Sequence, residues 1–157
     1  MSGEIVPRAV LVEVFRHARE CFPAECCGWL AGPSGGPPGR VRRCRNAQED
    51  GEHPTAEART AETAYVIAGD DLLALNRALD TPEPPLVLYH SHPNGRAYFS
   101  ETDKQAATDP WGEGPLYAVD QLVVGLDAEQ IVEARVFRWD AARKDFVEVA
   151  CYPGDKP

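Results

Sequence analysis

The sequence predicts an α/β domain of the α+β kind, a largely antiparallel sheet flanked by about two main helices. Three observations carry this reading. Apolar residues near the start recur at helical spacing. Several short apolar runs are cut off by Gly or Pro. The last third of the chain reads as three strands in succession. A length of 157 residues suits one domain, 1–157, with a single sizeable core.

The elements follow in order. "PRAVLVEVFRHARECFP" is a helix, because Leu11, Val14, Phe15, Ala18 and Phe22 fall on one face. Pro7 suits its start and Pro23 ends it. "ECCGWLAGP" is short and apolar and reads as a buried strand. "PSGGPPG" is a turn-rich connection to "RVRRCRNA", which sits where an antiparallel partner would pair. Residues 47–63 lack periodicity and large apolar side chains, and read as a mobile loop. "GDDLLALNRALDT" is a second helix, with Asp70 or Asp71 near its cap and Leu72, Leu75 and Leu79 on one face. "PPLVLYHSHP" is a strand running into two histidines. "SETDKQAAT" is a short helix. "LYAVDQLVVGL", "QIVEARVFRWD" and "DFVEVAC" are strands, the first two joined by a hairpin turn at "DAEQ".

Bulk composition removes some functions. With 43% hydrophobic and 26% charged residues the chain has a globular balance rather than a disordered one. Its formal net charge of -9 argues against nucleic acid, whose phosphates attract clustered Lys and Arg. The one basic cluster, "GRVRRCR" at 39–45, reads as a solvated or partner-facing strand edge. The charged N-terminal stretch has no apolar run of signal-peptide kind, and nothing approaches a membrane span. The expected location is cytoplasmic, with Cys21, Cys26, Cys27, Cys44 and Cys151 reduced. They lack paired C-x-x-C spacing, so most read as small buried hydrophobes.

Chemistry concentrates in "YHSHPNGRAYFSETD", residues 89–103. Residues i and i+2 of a strand share a face, so His90 and His92 can meet one ion. Pro93, Asn94 and Gly95 turn the chain, and Asp103 can return as a third ligand. Two imidazoles and one carboxylate leave a fourth tetrahedral position open, the pattern of a catalytic rather than a structural zinc. A hydrolytic site of this kind also needs a carboxylate that moves protons, and Glu25, at the mouth of a buried strand, is a candidate. Ser100 is placed to donate to a developing oxyanion. Each has a plainer reading: Ser100 and Asp103 also fit a helix cap, Ser with an acidic residue three later. Trp111 in "DPWGEGP" is as compatible with covering the core as with touching a substrate.

Together, His90-x-His92, seven residues, Ser100, two residues and Asp103 are similar to the signature of the JAMM (MPN+) metalloproteases. "ECCGWLAG" resembles that family's first strand, and "FPAECCGWLAG" looks most like its short prokaryotic members. The resemblance implies an MPN-like, cytidine-deaminase-like fold. It implies a Zn2+ held by His90, His92 and Asp103, Glu25 as general base, and oxyanion stabilisation by Ser100. It implies a peptidase or isopeptidase cutting after the C-terminal Gly-Gly of a ubiquitin-like protein, here a sulfur carrier. Two alternatives stay open: a processing peptidase of a bacterial ubiquitin-like conjugation (defence) pathway, and an inactive MPN scaffold.

Overall fold

The computed structural model describes residues 5–46 and 69–155. The loop expected at 47–63 lies outside the described residues. The described chain runs α1 (Arg8–Cys21), β1 (Cys27–Ala31), β2 (Arg40–Cys44), α2 (Gly69–Ala78), β3 (Pro85–His92), α3 (Glu101–Ala107), β4 (Asp120–Leu126), β5 (Ile131–Asp140) and β6 (Asp145–Asp155). The strands form one sheet in the order β2-β1-β3-β4-β5-β6. Every neighbouring pair is antiparallel except β3 and β4, which α3 joins as a parallel crossover.

The sheet separates two chemistries. One face carries Cys26, Leu30, Val87, Tyr89, Leu122 and Val124 against Val10, Leu11, Val14, Phe15 and Ala18 of α1. Four of the five residues expected on the α1 face are buried, and Phe22 packs at its margin. His17 joins this face through a 2.7 Å hydrogen bond between its Nδ1 and the Tyr89 hydroxyl. Gly28 leaves room for the Tyr89 ring: a Cβ there would stand 2.6 Å from two of its carbons. The other face holds Cys27, Trp29, Cys44, Leu75 and Leu88, and next to them an aromatic group of Phe99, Phe137 and Phe146. Cys26 and Cys27 therefore pack on opposite faces, as alternation along a strand requires.

Two expectations change. Leu72 is exposed, and only Leu75 of α2 is buried, so the apolar stripe is narrower than the helical spacing implied. The strand expected from Leu116 starts at Asp120. Leu116 N–H donates to the Ala107 carbonyl, which commits that backbone to the end of α3 instead. Among the described residues the basic strand β2 is an edge, its charge neutralised locally: Arg40 pairs with Glu83, Arg42 with Asp71, and Arg43 with Glu13 and Glu20. Among the described residues no helix is long and apolar enough to cross a membrane.

Candidate metal centre

Strand pairing places the site. Cys27 lies opposite His90 across β1 and β3. One step back, Ser91 N–H donates to the Cys26 carbonyl at 3.2 Å, and Cys26 N–H donates to Ser91 Oγ at 2.8 Å. Carried one residue further, the register sets Glu25 beside His92. Glu25, Cys27, His90 and His92 thus share the face away from α1. Glu25 (6% exposed), His90 (0%) and His92 (6%) are all buried there. Each offers a ligand atom within 4.8 Å of those of the other two. The Asn46 amide holds the Glu25 backbone by donating to its carbonyl at 3.0 Å.

Asp103 arrives from the other direction. Ser100 is the N-cap of α3, and its Oγ accepts from Asp103 N–H at 3.0 Å. Asp103 Oδ2 accepts in return from Ser100 N–H at 3.1 Å, closing a capping box. The same Oδ2 lies 3.0 Å from His90 Nε2 and 3.1 Å from His92 Nε2, and the two Nε2 atoms are 3.1 Å apart. The cap is therefore what aims the carboxylate: the plain and the chemical readings of Ser100 and Asp103 describe one arrangement.

Three donors within 3.0–3.1 Å of one another form a nearly equilateral triangle. Around a tetrahedral zinc with ordinary bond lengths such donors stand ~3.3–3.5 Å apart. The triangle thus needs to open by only a few tenths of an ångström, and this donor set fits the ion. The Glu25 carboxylate stands alongside, its ligand atom within 4.8 Å of those of His90 and His92. His92 is oriented as well: its Nδ1 is 3.2 Å from the Arg96 carbonyl. A carbonyl only accepts, so Nδ1 carries the proton and Nε2 keeps its lone pair for a cation.

The electrostatics agree. Burial favours a neutral Asp103, but the two imidazoles outweigh it and hold the carboxyl far below its usual range, so it stays ionised. Burial also opposes charge on His90, yet the adjacent Asp103 raises its pKa above the ordinary value. For His92 burial, aided by the neighbouring His90, prevails over the pull of the Asp103 carboxylate on the charged form, and the pKa is lowered. The ionised Asp103 carboxylate and the two imidazoles are thus electrostatically coupled, His90 most favourably.

All five residues singled out from sequence meet here, His90, His92, Asp103 and Glu25 around one point and Ser100 at its rim. Trp111 does not cover the core; it is 80% exposed. What sequence reasoning missed is the support. Gly125, paired with His92, has no side chain because the Arg96–Ala97 backbone crosses it: a Cβ would lie 2.6 Å from the Arg96 carbonyl carbon. Ala97 N–H is held on the far side by Glu133 Oε2 at 3.0 Å. An isolated glycine within a strand is the one local sign of such an approach.

Comparison with known proteins follows the same lines. Residues 7–140 match the family of prokaryotic homologues of the JAB domain. Proteins named CysO-cysteine peptidase from Mycobacterium tuberculosis and Mycobacterium bovis are 37% identical over 108 residues, 68% of this chain and 67% of theirs. The solution structure of a Desulfitobacterium hafniense protein superposes with a TM-score of 0.64 at 24% identity, covering 92% of this chain and 88% of that one. One from Salinibacter ruber gives 0.60 at 22% identity, covering 97% and 94%. Both share the fold. With most of its length matched and its histidine-strand geometry in place, the chain belongs to the prokaryotic JAB-domain family.

Proposed function

We propose that the chain is a zinc metallopeptidase that hydrolyses the amide bond after the C-terminal Gly-Gly of a sulfur-carrier or related ubiquitin-like protein. The observation that carries this reading is the triangle of His90 Nε2, His92 Nε2 and Asp103 Oδ2 with the buried Glu25 alongside. The substrate class is supported by the peptidase name of the mycobacterial relatives. His90, His92 and Asp103 would hold the zinc. When bound, zinc supplies Lewis acidity and a water acidified to a pKa of about 7.

The chain's own residues then divide the work. Glu25 takes a proton from the attacking water and returns it to the leaving amine. Ser100 Oγ already accepts from Asp103 N–H, so its own proton is available to the carbonyl oxygen as negative charge develops. Arg96 O keeps the His92 ring in the tautomer that leaves Nε2 bare. The carrier's tail, extended, adds to a strand edge near the site.

The test is incubation of the zinc-loaded chain with the ubiquitin-like proteins of the same genome, each carrying a residue beyond Gly-Gly, with products read by mass spectrometry. Release after Gly-Gly is expected. Intact substrates throughout, with stoichiometric zinc present, would leave the scaffold reading in its place.

A further inference from the structure

Glu25 stands just outside the regular sheet. Helix α1 ends at Cys21 and β1 begins at Cys27, so Glu25 and Cys26 lie in the connection between them. Carried back from Cys27, the pairings with Cys44 and His90 bring Glu25 level with Asn46 on one side and His92 on the other. Two side chains act where the strand ends. The Asn46 amide donates to the Glu25 carbonyl at 3.0 Å. The Ser91 hydroxyl accepts from Cys26 N–H at 2.8 Å. That carbonyl and that N–H belong to one peptide unit, the Glu25–Cys26 bond, which is therefore gripped from both edges.

Both gripping side chains are inside the protein: Asn46 is 5% exposed and Ser91 0%. A buried amide or hydroxyl costs free energy unless it is hydrogen-bonded, and an apolar residue would fill either place without that cost. What the polar pair adds is direction. Each is itself fastened. Beside Asn46, the Asp71 carboxylate in the first turn of α2 accepts from Arg45 N–H at 2.9 Å and from the Arg42 guanidinium at 3.0 Å. Ser91 N–H donates to the Cys26 carbonyl at 3.2 Å, and Ser91 lies in β3 between the two histidines. The peptide that carries Glu25 is thus tied to the strand that carries His90 and His92. With its plane fixed, the direction in which the Glu25 side chain leaves the backbone is fixed too.

Resting on the peptidase reading above, we propose that Asn46 is a positioning residue for the general base, acting with Ser91 on the Glu25–Cys26 peptide to aim the Glu25 carboxylate at the attacking water. Asn46 touches no substrate; it works through Glu25. Misplacing a reacting group by about 1 Å costs about a hundredfold in rate. The residues that would hold the metal come from β3 and α3, not from the connection that Asn46 grips. Loss of the Asn46 amide therefore slows the proton transfer while metal and substrate are still bound.

The experiment uses the zinc-loaded full chain and a sulfur-carrier protein of the same genome extended to end in Gly-Gly-Ala. Asn46→Leu keeps a branched side chain and loses the donor. Its kcat is expected to fall by roughly ten- to a hundredfold, with KM within about twofold of wild type and zinc content unchanged. Cys44→Ala, which removes a buried side chain from the neighbouring β2, controls for lost stability; it should lower the urea midpoint and leave kcat as it is. Ser91→Ala frees the other edge of the same peptide and carries the test if Asn46→Leu does not fold. It is expected to give the same signature, and the double variant to be little slower than the slower single, because both act through one peptide. Independently of turnover, amide exchange at Cys26 should quicken by about tenfold or more in Asn46→Leu, with Val123 and Val124 of β4 unchanged. A wild-type kcat in Asn46→Leu, or an equal loss in Cys44→Ala, would overturn the inference while leaving the peptidase reading intact. Loss of zinc from Asn46→Leu would also overturn it, since the side chain would then serve the metal ligands. No cleavage by wild type would instead remove the peptidase reading, and exchange at Cys26 would still decide whether Asn46 grips the peptide.

Discussion

Glu25 and His92 separate two roles within one cluster. The triangle's corners are His90, His92 and Asp103, and Glu25 stands beside the two histidines, its ligand atom within 4.8 Å of theirs. Glu25→Gln is therefore expected to keep one zinc per chain while hydrolysis falls by about a hundred- to ten-thousandfold. His92→Ala is expected to lose both, measured by metal analysis beside a cleavage assay; equal metal loss in the two variants would contradict the division. Ser100 tests two roles carried by one oxygen. Ser100→Ala should cost about 1 kcal/mol as a lost N-cap and slow catalysis by roughly a hundred- to a thousandfold. Ser100→Gly costs only a few tenths of a kcal/mol as a cap, so it should recover stability in a denaturant melt without recovering rate. Strand alternation and cap spacing made His90, His92, Ser100 and Asp103 candidates, whereas the role expected of Glu25 came only from the joint pattern and the family it resembles. Arg96 was not legible in the sequence, because its carbonyl meets His92 only after the Asn94–Gly95 turn, where Gly95 adopts a φ of +82°.

At the scale of elements, the loop from β3 to α3 is positioned by what β4 lacks. Gly125→Ala would drive a methyl group into the Arg96–Ala97 backbone. The loop must then lift, and the carbonyl that orients His92 lifts with it. Zinc affinity is expected to drop by about ten- to a hundredfold, the usual result of losing a ligand's supporting hydrogen bond; competition against a chelating dye measures it, and unchanged affinity would show that His92 needs no such support. On the opposite face, α1 is fastened through His17. Burial, aided by the nearby Arg43 and opposed by Glu20, lowers its pKa to about 4. Unfolded, the imidazole takes its proton near 6.5. Between those values the unfolded chain binds more protons, so this contribution is complete above about pH 6.5 and is lost as pH falls towards 4. His17→Gln should therefore lose less stability than wild type between pH 7 and 4, by up to about 3 kcal/mol in urea titrations; parallel losses would mean that His17 does not titrate with unfolding. Helix α1 and the strands were readable from periodicity, whereas the exposed Leu72 and the late start of β4 were not. Both depend on where a neighbouring element ends, which a single segment does not record.

Across the whole molecule, the parallel β3–β4 pair does what an all-antiparallel sheet could not. It sends the chain out from His92, over β4 and into α3 before it returns, and so carries Ser100 and Asp103 back onto the two histidines. Sequence reading anticipated a largely antiparallel sheet and a short helix after the histidines, but not which strand pair is parallel, since crossover direction is a property of the assembled sheet. The account as a whole rests on the ion being held by that returning carboxylate. Zinc-edge anomalous scattering from crystals of the zinc-loaded chain tests this most directly. One peak is expected, bonded to His90 Nε2, His92 Nε2 and Asp103 Oδ2, with the Glu25 carboxylate beyond bonding distance. A peak bonded to Glu25 with Asp103 turned away, or no peak between the histidines, would contradict it.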